Sequence, residues 1–295
     1  MVSLANFLLK QDHILLDGAM GTQLAERGLG MGGHNNVTNP GEVVEIHKQY
    51  ADCGCHILIT NTLTMNRIFI ETHNVGLDVR EVNLAGAKLA KSVAGKNLYV
   101  LGNLSSTGKM LKPYGDVSEQ EAEETFKEQA SFLSEGGVDG FIIETMFDLR
   151  EALCALRACK SVASLPVLVS MAFATMKNGG HTMMGNSATE CARALTEAGA
   201  SAIGGNCGDL DPSQMAEVTT IIREATSLPI LAQPNAGKPR LIDNQTIYDM
   251  KPDAFALGMA KCLRAGARLI GGCCGTSPAH ISALAEVLEY NRVKQ

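Results

Sequence analysis

Tryptophan is absent from this chain, and aromatic residues make up only 4% of it. Stacking platforms for single-stranded nucleic acid or sugars need such rings, so those ligands are poorly served. No run of Lys and Arg occurs, and the net charge is −6. Counterion release on nucleic acid needs clustered cations, which argues against that class of partner. No segment approaches the roughly 20 apolar residues of a membrane span. The stretch Met1 to Lys10 also lacks the long apolar core of a secretion signal and meets Gln11-Asp12 too soon. Nine cysteines in such a chain are expected to be reduced thiols of a cytoplasmic protein, and an odd count fits badly with fully paired disulfides.

The chain has 295 residues, of which 45% are hydrophobic, enough for a sizeable core. Its apolar, β-rich runs fall at 14–17, 56–60, 98–103, 140–144, 166–172, 202–206, 229–233 and 268–272. Segments with helical periodicity lie between them at 40–53, 78–94, 118–135, 148–162, 187–198, 212–225 and 251–264, and an eighth at 278–290 closes the chain. Asn39-Pro40, Asp211-Pro212 and Ser277-Pro278 place an N-cap before proline in a first helical turn. Ser118 to Glu121 reads as a capping box. Glycines follow the helices at Gly54, Gly136, Gly199 and Gly266. Strand and helix alternating eight times predict an α/β fold, a single (β/α)₈ TIM barrel spanning residues 1–295 as one domain. A doubly wound sheet is the alternative, but the first turn lacks its Gly-x-Gly-x-x-Gly fingerprint.

Barrel enzymes build their sites at the C-terminal ends of strands. There the chain places Asp17 to Thr22, Thr60-Asn61-Thr62, Gly102-Asn103, Glu144-Thr145, Gly205-Asn206-Cys207, Gln233-Pro234-Asn235 and Cys273-Cys274. Adjacent side chains on a flat strand point to opposite faces, but the glycines of Gly271-Gly272-Cys273-Cys274-Gly275 allow both sulfurs to turn the same way. Cys207, Cys273 and Cys274 read either as small buried hydrophobes or as a metal set, and their place after the strands favours the metal. Three thiols suit Zn²⁺ and leave its fourth position open, as in a catalytic site. Zinc with three thiolates carries a net charge of −1, a poor activator of water that favours alkylation of a bound thiol.

Glu144 is expected to point into the mouth, either anchoring a substrate ammonium or satisfied by neighbouring amides. Asp17 with Gly18 holds an amine or shapes a tight turn. Cys154, Cys159, Cys191 and Cys262 fall within helices and read as core. Cys53 and Cys55 sit at the bottom of the barrel and read as structural. The histidines show no ligand spacing.

These motifs together resemble the homocysteine S-methyltransferase family, and most closely the N-terminal homocysteine-binding barrels of cobalamin-dependent methionine synthases. The likeness runs through Leu16 to Thr22, Thr60 to Thr62, Glu144-Thr145, Asn206-Cys207, Pro234 to Pro239 and Gly271 to Thr276. It departs at Leu63, where such barrels carry an aromatic, in the Gly102 to Gly108 loop, and at Ala174, where an acidic residue is common. The resemblance implies zinc on Cys207, Cys273 and Cys274 with the homocysteine thiolate beside them. It also implies the amino and carboxylate groups near Asp17, Gly18, Ala19, Glu144 and Asn235. The expected donor is methylcobalamin carried by a separate corrinoid protein, or a small compound such as S-methylmethionine or betaine. The resemblance leaves open a stand-alone enzyme, a partner of a corrinoid protein, or one module of a larger one. Two other readings remain: a corrinoid-system methyltransferase acting on another methylated substrate, and a non-catalytic zinc barrel that senses redox state through its vicinal thiols.

Overall fold

All eight apolar runs form strands in the computed structural model, which describes residues 2–176, 179–242 and 245–293. They are β1 Ile14–Leu15, β2 Ile57–Ile59, β3 Tyr99–Leu104, β4 Gly140–Met146, β5 Val167–Met171, β6 Ala202–Asn206, β7 Ile230–Gln233 and β8 Ala267–Ile270. Every pairing is parallel and runs around the ring in chain order, with β8 returning to β1. The seam between β1 and β2 is thin: one bridge joins Leu16 and Ile57. Backbone bonds from His56 N to Leu15 O (2.7 Å) and Asp17 N to Ile57 O (3.2 Å) reinforce it. The Asp17 carboxyl adds another, accepting from Ile59 N at 2.8 Å. The result is a closed (β/α)₈ TIM barrel.

The strands are apolar throughout because both faces are covered. Inward-facing Leu16, Ile57, Leu101, Ile142, Leu168, Ala202, Leu231 and Leu269 form one interior cluster. Outward-facing residues such as Val100, Phe141, Val169 and Ile203 pack against the helices in a second, larger cluster. Those helices are α1 Pro40–Asp52, α2 Val79–Ala94, α3 Glu119–Glu135, α4 Leu149–Val162, α5 Ala188–Glu197, α6 Pro212–Ala225, α7 Pro252–Arg264 and α8 Pro278–Val293. Among the described residues, no helix is long and apolar enough to cross a membrane.

Boundaries differ from the sequence expectation for local reasons. Asp211 caps α6 as expected, accepting from Ser213 N and Gln214 N. Asn39 does not cap α1 with its side chain, because its amide is bonded to Asn35 and Thr38 instead. The Ser277 hydroxyl pairs with His280 Nδ1. Several features had no sequence signal strong enough to predict them, short helices at Gly21–Glu26, Asn35–Thr38 and Arg67–Thr72 among them. A helix at Leu4–Lys10 buries Leu4 and Leu8 against the interior cluster and plugs the base of the barrel. Hairpins follow β5 (Phe173–Thr175 with His181–Thr182) and β7 (Arg240–Ile242 with Gln245–Ile247).

Two glycines test how tightly the barrel is drawn. A Cβ at Gly204, inside β6, falls 1.8 Å from Leu231 O, whereas one at Gly41, in the first turn of α1, meets nothing within 4 Å. Gly204→Ala is therefore expected to cost about 3 kcal/mol or more, since a backbone atom of a central strand must move. Gly41→Ala should leave stability unchanged or raise it by up to about 1 kcal/mol. Urea unfolding of the two variants beside wild type measures both.

Candidate metal and substrate site

The loops leaving the C-terminal ends of the strands enclose a cavity of about 350 Å³. Asp17, Gly18, Ala19, Glu144, Cys207, Cys273 and Cys274 all line it. Asn235 does not. Its side chain is buried behind the wall, where the amide donates to Gly208 O at 2.9 Å and so braces the turn that follows Cys207.

The sulfur atoms of Cys207, Cys273 and Cys274 lie within 4.8 Å of one another, half-buried. Backbone geometry brings them there. Cys207 leaves β6 in the left-handed region, with φ of 52°, and its N–H donates to Gln233 O on β7 at 3.2 Å. Gly208 continues that turn with φ of 65°, and a Cβ on it would sit 2.3 Å from Phe173 O. On the other side of β7, Cys273 N donates to Pro234 O (3.0 Å) and Cys274 O accepts from Ala236 N (2.9 Å). Both vicinal cysteines are thus clamped to the same loop after β7. Thr276 closes the turn, its hydroxyl donating to Cys273 O at 2.7 Å.

The donor set suits a soft divalent ion. Sulfurs about 2.3 Å from a tetrahedral zinc stand about 3.8 Å apart, within the span found here. Charge points the same way. Hydrogen bonds from Cys207 and Cys273 draw the Cys274 thiol down to about 3. Bonded to Cys207 and Cys274, the Cys273 thiol is held well above its ordinary value. One thiolate forms readily, and a second and third need a positive charge among them.

Across the cavity sit two buried carboxyls. Glu144 projects from within β4, which runs two residues further than expected. Burial pushes its carboxyl up to about 7, against a hydrogen bond from Asn103 Nδ2 (2.7 Å) that favours the charged form. Burial likewise holds Asp17 well above the carboxylate range; the Ile59 N–H opposes this and the charge of Glu144 adds to it. Behind Asn103 stands the Thr60 to Thr62 turn: Asn103 N donates to Thr60 Oγ1 (2.9 Å), and Thr62 Oγ1 donates to Asn103 O (2.8 Å). Among the described residues, no Lys, Arg or His lines the cavity.

Sequence reasoning missed several residues that hold this site in shape. Asn206 joins three parts of it, accepting from Thr145 N and donating to Thr145 Oγ1 (both 2.8 Å) and towards Cys273 Sγ (3.8 Å). Thr145 needs this support because it also has a positive φ of 60°. Tyr50, buried on α1, donates to Ala19 O at 2.8 Å, while Ala19 N donates to Thr276 Oγ1 at 3.0 Å. Gly18 is required between them, since a Cβ there meets Tyr50 and Thr276 at 2.9 Å. Tyr248, just past the hairpin after β7, packs on Gly275 beside Cys274. Asn206 and Thr276 were visible within their motifs; Tyr50 and Tyr248 carried no local pattern. The remaining cysteines lie apart. Burial raises the thiols of Cys159, Cys191 and Cys262. Cys53 lies at a small pocket with His13 and His56.

A family model described as homocysteine S-methyltransferase matches residues 14–288. A methionine synthase of Mycobacterium leprae (strain TN) is 29% identical over 298 residues, covering 94% of this chain and 24% of that protein. The chain thus spans about a quarter of the length of that relative. In fold it is similar to the homocysteine methyltransferase MmuM from Escherichia coli. The oxidized form gives a TM-score of 0.78 at 23% identity, covering 95% of this chain and 97% of that one. The metallated form gives 0.77 at 23% identity, covering 96% and 98%.

The ionisation of Glu144 can be tested without any ligand. Its carboxyl, observed by NMR in ¹³C-labelled protein, should titrate near 7. Asn103→Leu removes the hydrogen bond that favours the anion, so the midpoint should move higher. A raised carboxyl stabilises the fold below its unfolded value, and that contribution is lost as pH climbs through about 7.

Proposed function

The chain belongs to the homocysteine S-methyltransferase family, and from that premise we propose that it transfers a methyl group to the sulfur of homocysteine, with zinc held by Cys207, Cys273 and Cys274. The observation that carries this reading is the sharing of one cavity by three clustered thiols and the buried carboxyl of Glu144. Homocysteine has the matching halves, a thiol at one end and an ammonium and carboxylate at the other. The ionised Glu144 accepts from the ammonium, with the Asp17 carboxyl on the same cavity wall. Asn103 Oδ1 and Gln233 Oε1 are buried acceptors that lack a donor among the described residues, and both residues line the same cavity. Gly18 and Ala19 form the wall against which the carboxylate rests. Asn235 contributes indirectly, by holding the turn after Cys207.

Bound zinc supplies one thing, a lowered pKa for the acceptor thiol, which keeps it a nucleophile at neutral pH. The chain's residues do the rest. They fix the amino acid so that its sulfur faces the open mouth, and they exclude water from the carboxyl end. The methyl donor approaches in line from that mouth, either methylcobalamin on a separate corrinoid protein or a small onium compound such as S-methylmethionine or betaine. Residues 1–295 act as one barrel domain in this reading, and the free thiols suit a reducing compartment such as the cytoplasm. Assaying zinc-loaded protein with homocysteine against each donor tests the activity. Turnover with none of them while another methylated substrate reacts would favour the corrinoid-system alternative.

One zinc per chain is expected by metal analysis, lost on Cys207→Ser, Cys273→Ser or Cys274→Ser and unchanged in Cys154→Ala or Cys262→Ala. Stoichiometric zinc in a Cys207→Ser, Cys273→Ser double variant would sink the assignment.

Glu144→Gln should retain zinc but weaken homocysteine binding by about 1.5–3 kcal/mol, the worth of a charge-assisted hydrogen bond, or roughly ten- to more than a hundredfold. In wild type the affinity should rise with pH through about 7, as Glu144 ionises, and the variant should lose that part of the pH dependence. Calorimetry at several pH values reads both, with a thiol lacking the amino group as the insensitive control.

A further inference from the structure

β2 and β3 end at different heights, and the difference leaves main-chain groups to be satisfied. β2 stops at Ile59, so its ladder with β3 runs out at Leu101, where Thr60 N donates to Leu101 O (3.0 Å). β3 continues to Leu104 beside β4. Asn103 therefore stands on β3 with no strand on its β2 side, where its buried N–H and C=O need other partners. Threonine side chains supply them. Asn103 N donates to Thr60 Oγ1 (2.9 Å), and Thr62 Oγ1 donates to Asn103 O (2.8 Å). The two hydroxyls are 2.7 Å apart. Thr62 gives its one proton to Asn103, so Thr60 must donate to Thr62, and the bonds close into a ring with every direction fixed.

Gln129 ties this ring to the outside of the barrel. It is a fully buried residue of α3, and its Nε2 faces three acceptors: Thr62 O (2.8 Å), Asn83 Oδ1 (3.1 Å) and Asn103 O (3.4 Å). Asn83 can only accept there, because its own amide nitrogen donates to Met65 O and Val79 O (both 2.7 Å). A site of three acceptors admits an amide N–H₂ and refuses a carboxylate of the same shape. With its main chain held in the ring, Asn103 points its side chain at Glu144, Nδ2 to Oε1 at 2.7 Å. Its Oδ1, without a donor among the described residues, is the end left for an arriving ammonium.

We propose that Gln129 is a positioning residue that sets selectivity for the amino-acid end of the acceptor, by locking the Thr60 to Thr62 turn onto Asn103 from outside the barrel. Gln129 does not line the cavity itself. Selectivity is a difference of two affinities, and preorganising Asn103 raises only the one that uses the ammonium. This rests on the homocysteine reading above, and its test tells the two apart.

Zinc-loaded wild type, Gln129→Met and Thr62→Val are titrated calorimetrically with homocysteine and with 4-sulfanylbutanoate, which is homocysteine without its amino group. Met keeps the length of the Gln side chain and removes the amide. Val keeps the shape of Thr and removes the hydroxyl, so it breaks the same ring from its other side should Gln129→Met fold poorly. In each variant homocysteine should bind about tenfold more weakly, the worth of one hydrogen bond, with 4-sulfanylbutanoate binding and zinc content unchanged. Introduced into Asn103→Leu, Gln129→Met should weaken homocysteine no further, because Asn103 is the route by which it acts. Unchanged homocysteine affinity in either folded variant overturns the proposal. So does equal weakening of both ligands, the mark of a merely structural role, or a loss that adds in full to that of Asn103→Leu. A wild type that binds the two thiols equally overturns the ammonium placement itself, and the selectivity assigned to Gln129 falls with it.

Discussion

Three sulfur atoms within 4.8 Å of one another form an electrostatically self-opposing group. One thiolate is welcome there, stabilised by its two neighbours; three are not, unless a cation sits among them. The backbone must therefore hold in place a cluster that would otherwise separate as it ionises. It does so through main-chain bonds across the end of β7, which clamp Cys207 from one side and the Cys273-Cys274 pair from the other. The left-handed conformation of Cys207 belongs to the same requirement. So do the crowded Gly208 and Gly275, where a side chain would collide with Phe173 or Tyr248.

The two ends of the cavity are built on opposite principles. At the sulfur end, protons are shared and the group as a whole seeks positive charge. At the carboxyl end, burial raises Glu144 and Asp17 towards neutrality, with one amide hydrogen bond keeping Glu144 near the point of ionisation. An empty cavity can thus rest with little net charge at that end, and an arriving ammonium supplies what ionisation needs. The absence of basic side chains from the lining among the described residues fits this balance. A lysine placed there would pair with Glu144 and take the position of the ligand.

Much of the barrel was legible because its signals are periodic and local. Eight apolar runs separated by helical stretches, with glycines at helix ends, define strand order almost by themselves. The three cysteines were legible for a different reason, since thiols among glycines after strands have little packing to do. What the sequence did not reveal depends on which partners the folded chain supplies. Asn39 looked like an N-cap but is bonded elsewhere. Asn235 looked like part of the binding surface but braces a turn from behind. The plug helix is too short to show periodicity, and Tyr248 meets the Gly275 turn only when the segment after β7 folds back onto it.

The plug at Leu4–Lys10 has a consequence for traffic. With Leu4 and Leu8 packed under the interior cluster, the barrel is a cup rather than a tube. Everything that reaches the sulfurs enters by the rim and leaves by the rim. A bulky molecule seated over that rim shuts in whatever lies below it, so the lower occupant must arrive first and leave last.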